Sequence, residues 1–239
     1  MLKNLSKYQL IVVSIILAVG FIFGIKSATE SFSTDKITVT GSAYKIVESD
    51  SACLEFEIMT KKPDKQQAYN SAKAQLPIVT NYLKENGITD IEIKAYRGYN
   101  TYRYTPNGNM TNDIAYFNLA QPIVINSNDV NKIKNISSNI QSLLDKGVDI
   151  NINSTQYFYS KLGDLKVELL EDATKDAKDR ATAMLKATNN KPGKIKSVGM
   201  GVFQITPVNS TNVSNMGISD TSTIEKKVTA VANVTFNIK

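Results

Sequence analysis

The side chains that most often carry out acid–base and nucleophilic catalysis are scarce in this chain. Among its 239 residues there is no histidine, and Cys53 is the only cysteine. Histidine-dependent triads, HExxH zinc sites and His-rich metal clusters are therefore excluded, and a single cysteine cannot form an intrachain disulfide. Carboxylate chemistry and a serine–lysine pair remain open. Because no catalytic, metal-binding or cofactor motif is present, we expect a protein that is not an enzyme and has no cofactor.

One stretch carries enough acids to suggest a cation site or an acid–base pair of carboxylates. Basic residues interleave with these acids at helical spacing, and mixed charge runs of this kind are usually the solvated face of a helix. We therefore expect no reaction there. The acids are Glu168, Glu171, Asp172, Asp176 and Asp179, and the expected ion pairs are Glu171 with Lys175 and Asp176 with Arg180.

Cys53 lies on a predicted strand between Ala52 and Leu54. A reactive cysteine needs a nearby positive charge to stabilise its thiolate, and no lysine, arginine or histidine flanks this one. A buried, inert thiol is therefore favoured over a redox sensor.

The most suggestive surface is an aromatic and basic stretch. Tyrosine supplies rigid contact area with a polar end, and arginine stacks on aromatic rings, a combination enriched at interfaces. Three interpretations remain open: tyrosines of a twisted hairpin that cover each other, an interface between subunits, and a surface for cell-wall glycan. The residues are Tyr96, Arg97, Tyr99, Tyr102, Arg103 and Tyr104.

Alternating apolar residues indicate the strands that position this stretch. Residues 37–46 and 52–58 are predicted strands, the first interrupted at Gly41, and they predict an antiparallel hairpin that turns around Glu48 to Ser51. Residues 209–222 are predicted to be a polar, mobile loop. Further strands are predicted over 89–105, 114–125, 148–162, 195–208 and 224–238.

Three helices are predicted between the strands. The first begins at residues 63–64 and ends at Gly87, and Pro77 is expected to kink or divide it. The second begins at Asp129 and ends at Gly147, and the third covers 164–189 with an apolar residue at every fourth position. The chain is therefore predicted to be α+β, with a mostly antiparallel sheet and three main helices packed on it, preceded by one N-terminal transmembrane helix.

Membrane attachment is predicted from Leu10 to Ile25, an apolar segment that follows Lys3 and Lys7. As a helix it would span about 24 Å, slightly less than the roughly 30 Å hydrocarbon core, and flanking lysines extend this reach. An uncleaved anchor is favoured over a signal peptide cut after Ser27, because the small-x-small cleavage pattern is poor. In both cases the body lies outside the cytoplasm, on the periplasmic or extracellular side.

The charge distribution argues against a nucleic-acid partner. The chain has a net charge of +6, but residues 1–26 carry three lysines and no acid. Residues 27–239 therefore hold 25 basic and 22 acidic side chains, a net charge of +3 with no basic stripe.

The predicted organisation is a cytoplasmic stub and anchor over 1–26, a linker over 27–35 and an α+β domain over 36–239.

This order of elements, with several local phrases, resembles the SIMPL-domain family of bacterial periplasmic and membrane-anchored proteins, and the likeness covers nearly all of 36–239. The resemblance implies an extracytoplasmic domain that forms ring-like or channel-like homo-oligomers in some members and is linked to tolerance of oxidative and other stress. It implies no catalytic residue. The phrases are ITVTGSAY at 37–44, LKENGI at 83–88, DVNKIKNISSNIQSLLDKGVDI at 129–150, LLEDATKDAKDRATAML at 169–185, KPGKIKSVGMG at 191–201 and KVTAVANVTFNI at 227–238.

Three functions follow as hypotheses. The first is a membrane-anchored, self-assembling envelope protein that supports stress tolerance. The second is a binding module for cell-wall glycan. The third is a carboxylate-dependent hydrolase, which needs two acids to converge in a pocket.

Overall fold

The computed structural model describes residues 9, 11–22 and 35–239, and residues 11–22 form helix α1. Among these described residues, no helix is both long and apolar enough to cross a membrane. Residues 10 and 23–25 of the predicted anchor, and most of the predicted linker, lie outside them. Membrane attachment therefore stays a prediction.

Four α-helices and ten strands make up the described part of the chain, which confirms the predicted α+β class. The elements after α1 are β1 (Lys36–Glu48), β2 (Ser51–Lys62), α2 (Lys65–Glu85), β3 (Ile91–Ile93), β4 (Arg97–Tyr104), β5 (Met110–Ser127), α3 (Val130–Asn139), a 3₁₀ helix (Ile140–Lys146), β6 (Asp149–Phe158), α4 (Leu162–Lys186), β7 (Pro192–Met200), β8 (Gln204–Pro207), β9 (Ile218–Ser219) and β10 (Glu225–Ile238).

The strands form two five-stranded sheets. The first has the order β1-β10-β8-β9, with β7 also paired to β10, and the second has the order β3-β5-β2-β6, with β4 also paired to β5. Antiparallel pairs predominate, as predicted, while β8 and β9 pair in parallel. The division into two sheets was not predicted from the sequence.

β1 and β2 do not form the predicted hairpin, although only Ser49 and Asp50 separate them. Both edges of β2 are occupied, by β5 and by β6, whereas β1 pairs with β10 in the other sheet. The connecting residues also bond elsewhere: the Ser49 N–H donates to the Ile224 carbonyl and the Asp50 N–H to the Phe158 carbonyl, each at 2.9 Å. The prediction was wrong because proximity in sequence does not show which strands compete for an edge.

Contacts between Cα atoms divide the chain into two compact units. Among the residues from 35 onward, unit 1 contains 35–43, Glu168–Gly201 and Ala230–Lys239. Unit 2 contains Tyr44–Val167 and Val202–Thr229. Each unit is thus assembled from separate stretches of the chain.

The core of unit 2 is formed by apolar residues of the second sheet and of α2 and α3. On β2, the fully buried Leu54, Phe56 and Ile58 alternate with less buried residues, as the two-residue period of a strand requires. Burying each such side chain contributes roughly 1.5–3 kcal/mol. This apolar face fixes the register of β2 and therefore the position of the strands beside it.

Helix α2 begins and ends at the predicted signals. The Asp64 carboxylate accepts a hydrogen bond from the Gln67 N–H at 2.9 Å and so caps the first turn. Gly87 follows the helix with φ +76°, a conformation that favours glycine. Pro77 lies inside α2, but the helix continues through it, so the predicted division is wrong. Buried residues on both sides of Pro77, including Ala72 and Val79, hold the two halves in one helix.

In unit 1, α4 lies against β1 at backbone distance. A Cβ atom on Gly41 would stand 2.1 Å from the carbonyl oxygen of Ala173 and 2.4 Å from the nitrogen of Ala177. The Ser42 N–H donates to the Asp176 carboxylate at 2.8 Å in the same contact. β1 runs through Gly41 without a break, so the predicted interruption is wrong. The glycine is required for the close approach of the helix rather than for a turn.

A buried lysine closes the turn that precedes β10 in unit 2. Lys226 is 3% exposed, and its ammonium group donates to the Thr223 and Asp220 carbonyls at 2.6 and 2.8 Å, with an Asp220 carboxylate oxygen at 3.4 Å. Burial lowers the pKa of Lys226. Burial raises the pKa of Asp220, but hydrogen bonds from Thr223 and Ser222, together with the charge of Lys226, outweigh it and hold that pKa at about 2. The predicted mobile loop therefore carries β9 and the start of an ordered turn.

Candidate functional site

The predicted aromatic and basic stretch lies on β4 and the residue before it, and β4 pairs with β5. Gly98 is opposite the buried Leu119, so it lies on the inner face of the sheet. Arg97 and Tyr99 alternate with Gly98 and lie on the outer face, whereas Tyr96 contacts α2. The fold therefore divides the predicted residues between two faces and does not gather them into one site.

The rest of the stretch lies on a two-stranded extension of the sheet. The last residue of β2, Lys62, pairs with Phe117. In the part of the chain that the structure describes, residues 110–116 of β5 therefore pair with β4 alone. We call residues 101–116 the arm. Tyr102, Arg103 and Tyr104 belong to it.

The arm exposes apolar side chains on a ribbon with little support. Tyr104 and Met110 are each 64% exposed and Ile114 is 47% exposed. Gly108, with φ +81°, forms the turn at its end, and the Thr111 hydroxyl donates to the Arg103 carbonyl at 2.9 Å. The arm thus combines exposed apolar surface with a strand edge that, within the described residues, has no partner.

A groove of about 580 Å³ lies between the first turns of α2 and the inner face of the β4–β5 hairpin. We call it the aromatic groove. Phe117 and Leu119 are buried residues of β5 that line it and pack with Ala68 and Ala72 of α2. The other lining residues used below are Lys65, Gln66, Tyr69, Tyr96 and Gly98.

Two tyrosines from different elements meet at the aromatic groove. The rings of Tyr69 on α2 and Tyr96 before β4 lie edge to face, with centroids 5.2 Å apart and planes at 66°. Each side chain is just over one third exposed. Burial, and then the neighbouring Tyr69, raises the pKa of Tyr96. Tyr96 therefore remains neutral at physiological pH, and both tyrosines present apolar rings with hydroxyl groups to the groove.

Gly98 sets how closely a phenylalanine ring approaches β4. A Cβ atom there would lie 2.6 Å from Cζ and 2.8 Å from Cε1 of Phe117, and 2.9 Å from the Asn118 carbonyl oxygen. Any larger residue would push the ring away from the strand. The glycine therefore maintains the shape of the groove floor.

The outer face of the same strands is polar and internally paired. Arg97 forms an ion pair with Glu57 at 2.9 Å. The Lys61 ammonium lies 3.6 Å from the centre of the Tyr116 ring. A hydrogen bond with Thr101, and then the contact with Lys61, lowers the pKa of Tyr116. These side chains therefore find their ionic, cation–π and hydrogen-bonding partners on the outer face itself.

The acids of α4 behave as a charged helix surface. Glu171 pairs with Lys175 at 2.8 Å and Asp176 pairs with Arg180 at 2.8 Å, so both predicted ion pairs are confirmed. Hydrogen bonding to Lys175 lowers the pKa of Glu171. In the part of the chain that the structure describes, no group of three or more potential ligand side chains is arranged to hold a metal ion.

Cys53 is partly exposed rather than buried as predicted. Its neighbours across β2 are Asn126 on β5 and Gln156 on β6, both of which lie on the outer face. The prediction failed because that face of the sheet is only partly covered. Burial, and then the charge of Glu55, raises the pKa of the thiol.

Sequence reasoning identified Tyr96 but missed the residues that complete the aromatic groove. Lys65 and Tyr69 come from α2 and Phe117 from β5, so their convergence depends on tertiary structure. One local signal was available: Gly98 interrupts an otherwise bulky strand, and an isolated strand glycine often marks a close approach.

Comparison with known protein families supports the resemblance predicted for residues 36–239. A family model described as SIMPL, a protein of unknown function (DUF541), matches residues 37–236. No curated protein matches the chain.

Proposed function

This chain belongs to the SIMPL family, whose function is unknown, and from that premise we propose a membrane-anchored, non-enzymatic envelope protein that assembles with copies of itself. The observation that carries the proposal is the arm. It presents Tyr104, Met110 and Ile114 to solvent on a two-stranded ribbon.

An isolated two-stranded ribbon is only marginally stable in water, and exposed strand edges pair readily with other strands. Contact with a second copy would cover the apolar side chains and add hydrogen bonds to the open edge of β4. Tyrosine and arginine, both present on the arm, are enriched at such interfaces. Self-association therefore explains the exposed apolar surface better than a solvent-exposed ribbon does.

The proposed anchor is Leu10 to Ile25, which would place the body outside the cytoplasm. Each subunit of an assembly would then be attached to the membrane by one helix. N-terminal sequencing of the mature protein tests this point, since a chain that begins at Ala28 would contradict the anchor and leave the compartment unchanged.

The proposed support of oxidative-stress tolerance is based on the family resemblance, and peroxide survival of a deletion strain tests it.

Light scattering of the full chain in detergent tests self-assembly. We expect a mass of several subunits for the wild type and a shift toward the monomer for Tyr104→Ser combined with Ile114→Ser. Val213→Ser is the matched control, because Val213 is apolar and 82% exposed but lies outside the arm. A wild-type monomer at high protein concentration would contradict the proposal.

A second candidate function, binding of cell-wall glycan, is favoured by the aromatic groove. Its aromatic walls and apolar floor lie beside the polar groups of Lys65, Gln66 and the tyrosines, a mixture that suits a sugar. This site differs from the one predicted on the sequence, because it combines Tyr96 with residues of α2 and β5. A pull-down with isolated peptidoglycan tests the function, with Tyr96→Ala as the variant expected to lose binding.

A further inference from the structure

We propose that the aromatic groove binds a saccharide that carries a carboxylate group, and that Lys65 is the residue that pairs with this carboxylate. The inference rests on the second candidate function. It adds the chemical class of the ligand and the side chain that selects it.

The walls of the aromatic groove suit a sugar ring. The C–H groups on one side of a pyranose are apolar and pack on aromatic carbon, which Tyr69, Tyr96 and Phe117 supply. A volume of about 580 Å³ lies within the range of pockets that hold small ligands. The groove therefore has room for one or two sugar units.

Polar groups of the groove are available to the hydroxyls of a sugar. Among the described residues, neither the Tyr69 nor the Tyr96 hydroxyl has a hydrogen-bonding partner. Each can donate one hydrogen bond and accept others. Gln66 keeps its amide oriented through a hydrogen bond to Asn70 at 3.1 Å, which leaves its carbonyl oxygen as an acceptor.

The charge of the aromatic groove selects an anionic ligand. Lys65 is the single charged side chain among its described lining residues. Within the described residues Lys65 forms no ion pair, and the neighbouring Asp64 carboxylate caps α2. A carboxylate on the bound sugar would therefore find one ammonium group and no competing acid on the groove walls.

The floor of the aromatic groove is formed before any ligand arrives. Phe117 packs with Ala68, Ala72 and Leu119, and Gly98 allows its ring to lie against β4. A preformed floor reduces the ordering cost of binding. The site is therefore positioned by packing in the free protein.

Titration of the full chain with two matched monosaccharides tests the proposal. N-acetylmuramic acid differs from N-acetylglucosamine by a lactyl ether that bears a carboxylate. The chain is kept in a zwitterionic detergent, because a detergent with a sugar head group would compete. We expect ligand-observed NMR to show roughly twofold to fivefold tighter binding of the acidic sugar, the scale of one exposed ion pair.

Lys65→Gln should remove this preference and leave the affinity for N-acetylglucosamine unchanged. Lys73→Gln is the matched control, since Lys73 is an exposed lysine of α2 that does not line the groove, and it should keep the preference. Tyr96→Ala should weaken the binding of both sugars about tenfold, while Tyr96→Phe should keep the contribution that ring stacking makes to binding. Unchanged thermal unfolding of each variant shows that the fold is intact.

The outcomes separate the inference from the function on which it rests. If the wild type binds neither sugar, both the inference and the glycan function are wrong. If it binds both sugars equally, or if Lys65→Gln keeps the preference, the carboxylate assignment is wrong and glycan binding remains. Self-assembly is unaffected by either result, because its test uses the arm.

Discussion

Gly41 in unit 1 and Gly98 in unit 2 solve the same steric problem in different ways. At both positions an added Cβ atom would collide with a neighbour. At Gly41 the neighbour is the backbone of α4, with the Ala173 carbonyl oxygen 2.1 Å away. At Gly98 the nearest atoms belong to the Phe117 ring, at 2.6 Å.

The difference lies in what each neighbour can do in response. A helix backbone moves only as a unit with every residue packed on it, whereas a side-chain ring can rotate or shift. Buried alanines line the face of α4 that lies beside Gly41, so no space is left at that contact. An open groove remains beside Gly98. One glycine therefore supports stability, and we propose that the other supports binding.

Gly41→Ala should have the largest effect, because its methyl group meets backbone atoms that cannot yield locally. Overpacking typically costs about 1–3 kcal/mol, and we expect Gly41→Ala to reach the upper end of this range and to lower the urea midpoint of the full chain. Gly199→Ala is the matched control in unit 1, since its nearest neighbours are 3.9 Å and 4.0 Å away. Equal midpoints for the two variants would contradict a closed contact at Gly41.

Acidification should have the next largest effect on stability. It acts on unit 2 through Asp220, and neither glycine is involved. The pKa of Asp220 is about 2 in the fold, against 3.8 for an unperturbed aspartate. Because the folded pKa is the lower one, the carboxylate stabilises the fold above about pH 4, and this contribution is lost as pH falls toward 2. The difference corresponds to about 2 kcal/mol.

Urea unfolding at pH 5 and pH 2.5 measures this loss. Asp220→Asn should show a smaller difference between the two pH values than the wild type. Asp176→Asn tests unit 1, where the Ser42 N–H, and then Arg180, lowers the pKa of Asp176. Its effect should be smaller because Asp176 is more exposed than Asp220. An Asp220→Asn variant with the full wild-type loss would contradict the assignment.

Gly98→Ala should cost about 1–2 kcal/mol, less than Gly41→Ala, because the Phe117 ring can move away from the new methyl group. That movement would reshape the aromatic groove. We therefore expect weaker saccharide binding together with a modest fall in the urea midpoint. Adding Phe117→Leu should restore part of the stability but not the binding. A fall as large as that of Gly41→Ala would remove the distinction between the two contacts.

Arg97→Gln should have the smallest effect, about 0.5 kcal/mol, because Arg97 is largely exposed although Glu57 is mostly buried. The loss should shrink in high salt. Since Arg97 lies on the outer face of the sheet, saccharide binding on the inner face should not change. A loss of binding in this variant would show that the two faces are coupled.

The sequence was sufficient to predict the helices and most strands, because their patterns are local. Asp64 and Gly87 mark the ends of α2, and the Thr105–Asn109 turn separates β4 from β5. The ion pairs of α4 were also predictable, since residues four apart on a helix are neighbours.

Strand partners and the aromatic groove were not predictable, because both depend on residues far apart in sequence. Nothing near Ser49 or Asp50 shows that β2 pairs with β5 and β6 instead of β1. Similarly, Tyr69 and Tyr96 belong to different elements. Gly41 was noticed as a break in a pattern, but only the position of α4 explains why the glycine is needed.

The buried Lys226 ammonium acts as a cation that is covalently attached to the turn it stabilises. Turns that gather carbonyl and carboxylate oxygens often depend on a dissolved metal ion and open when a chelator removes it. Here the Asp220 and Thr223 oxygens receive their positive charge from the chain itself as it folds. We therefore expect the turn to stay closed in EDTA, since the positive charge at its centre belongs to Lys226.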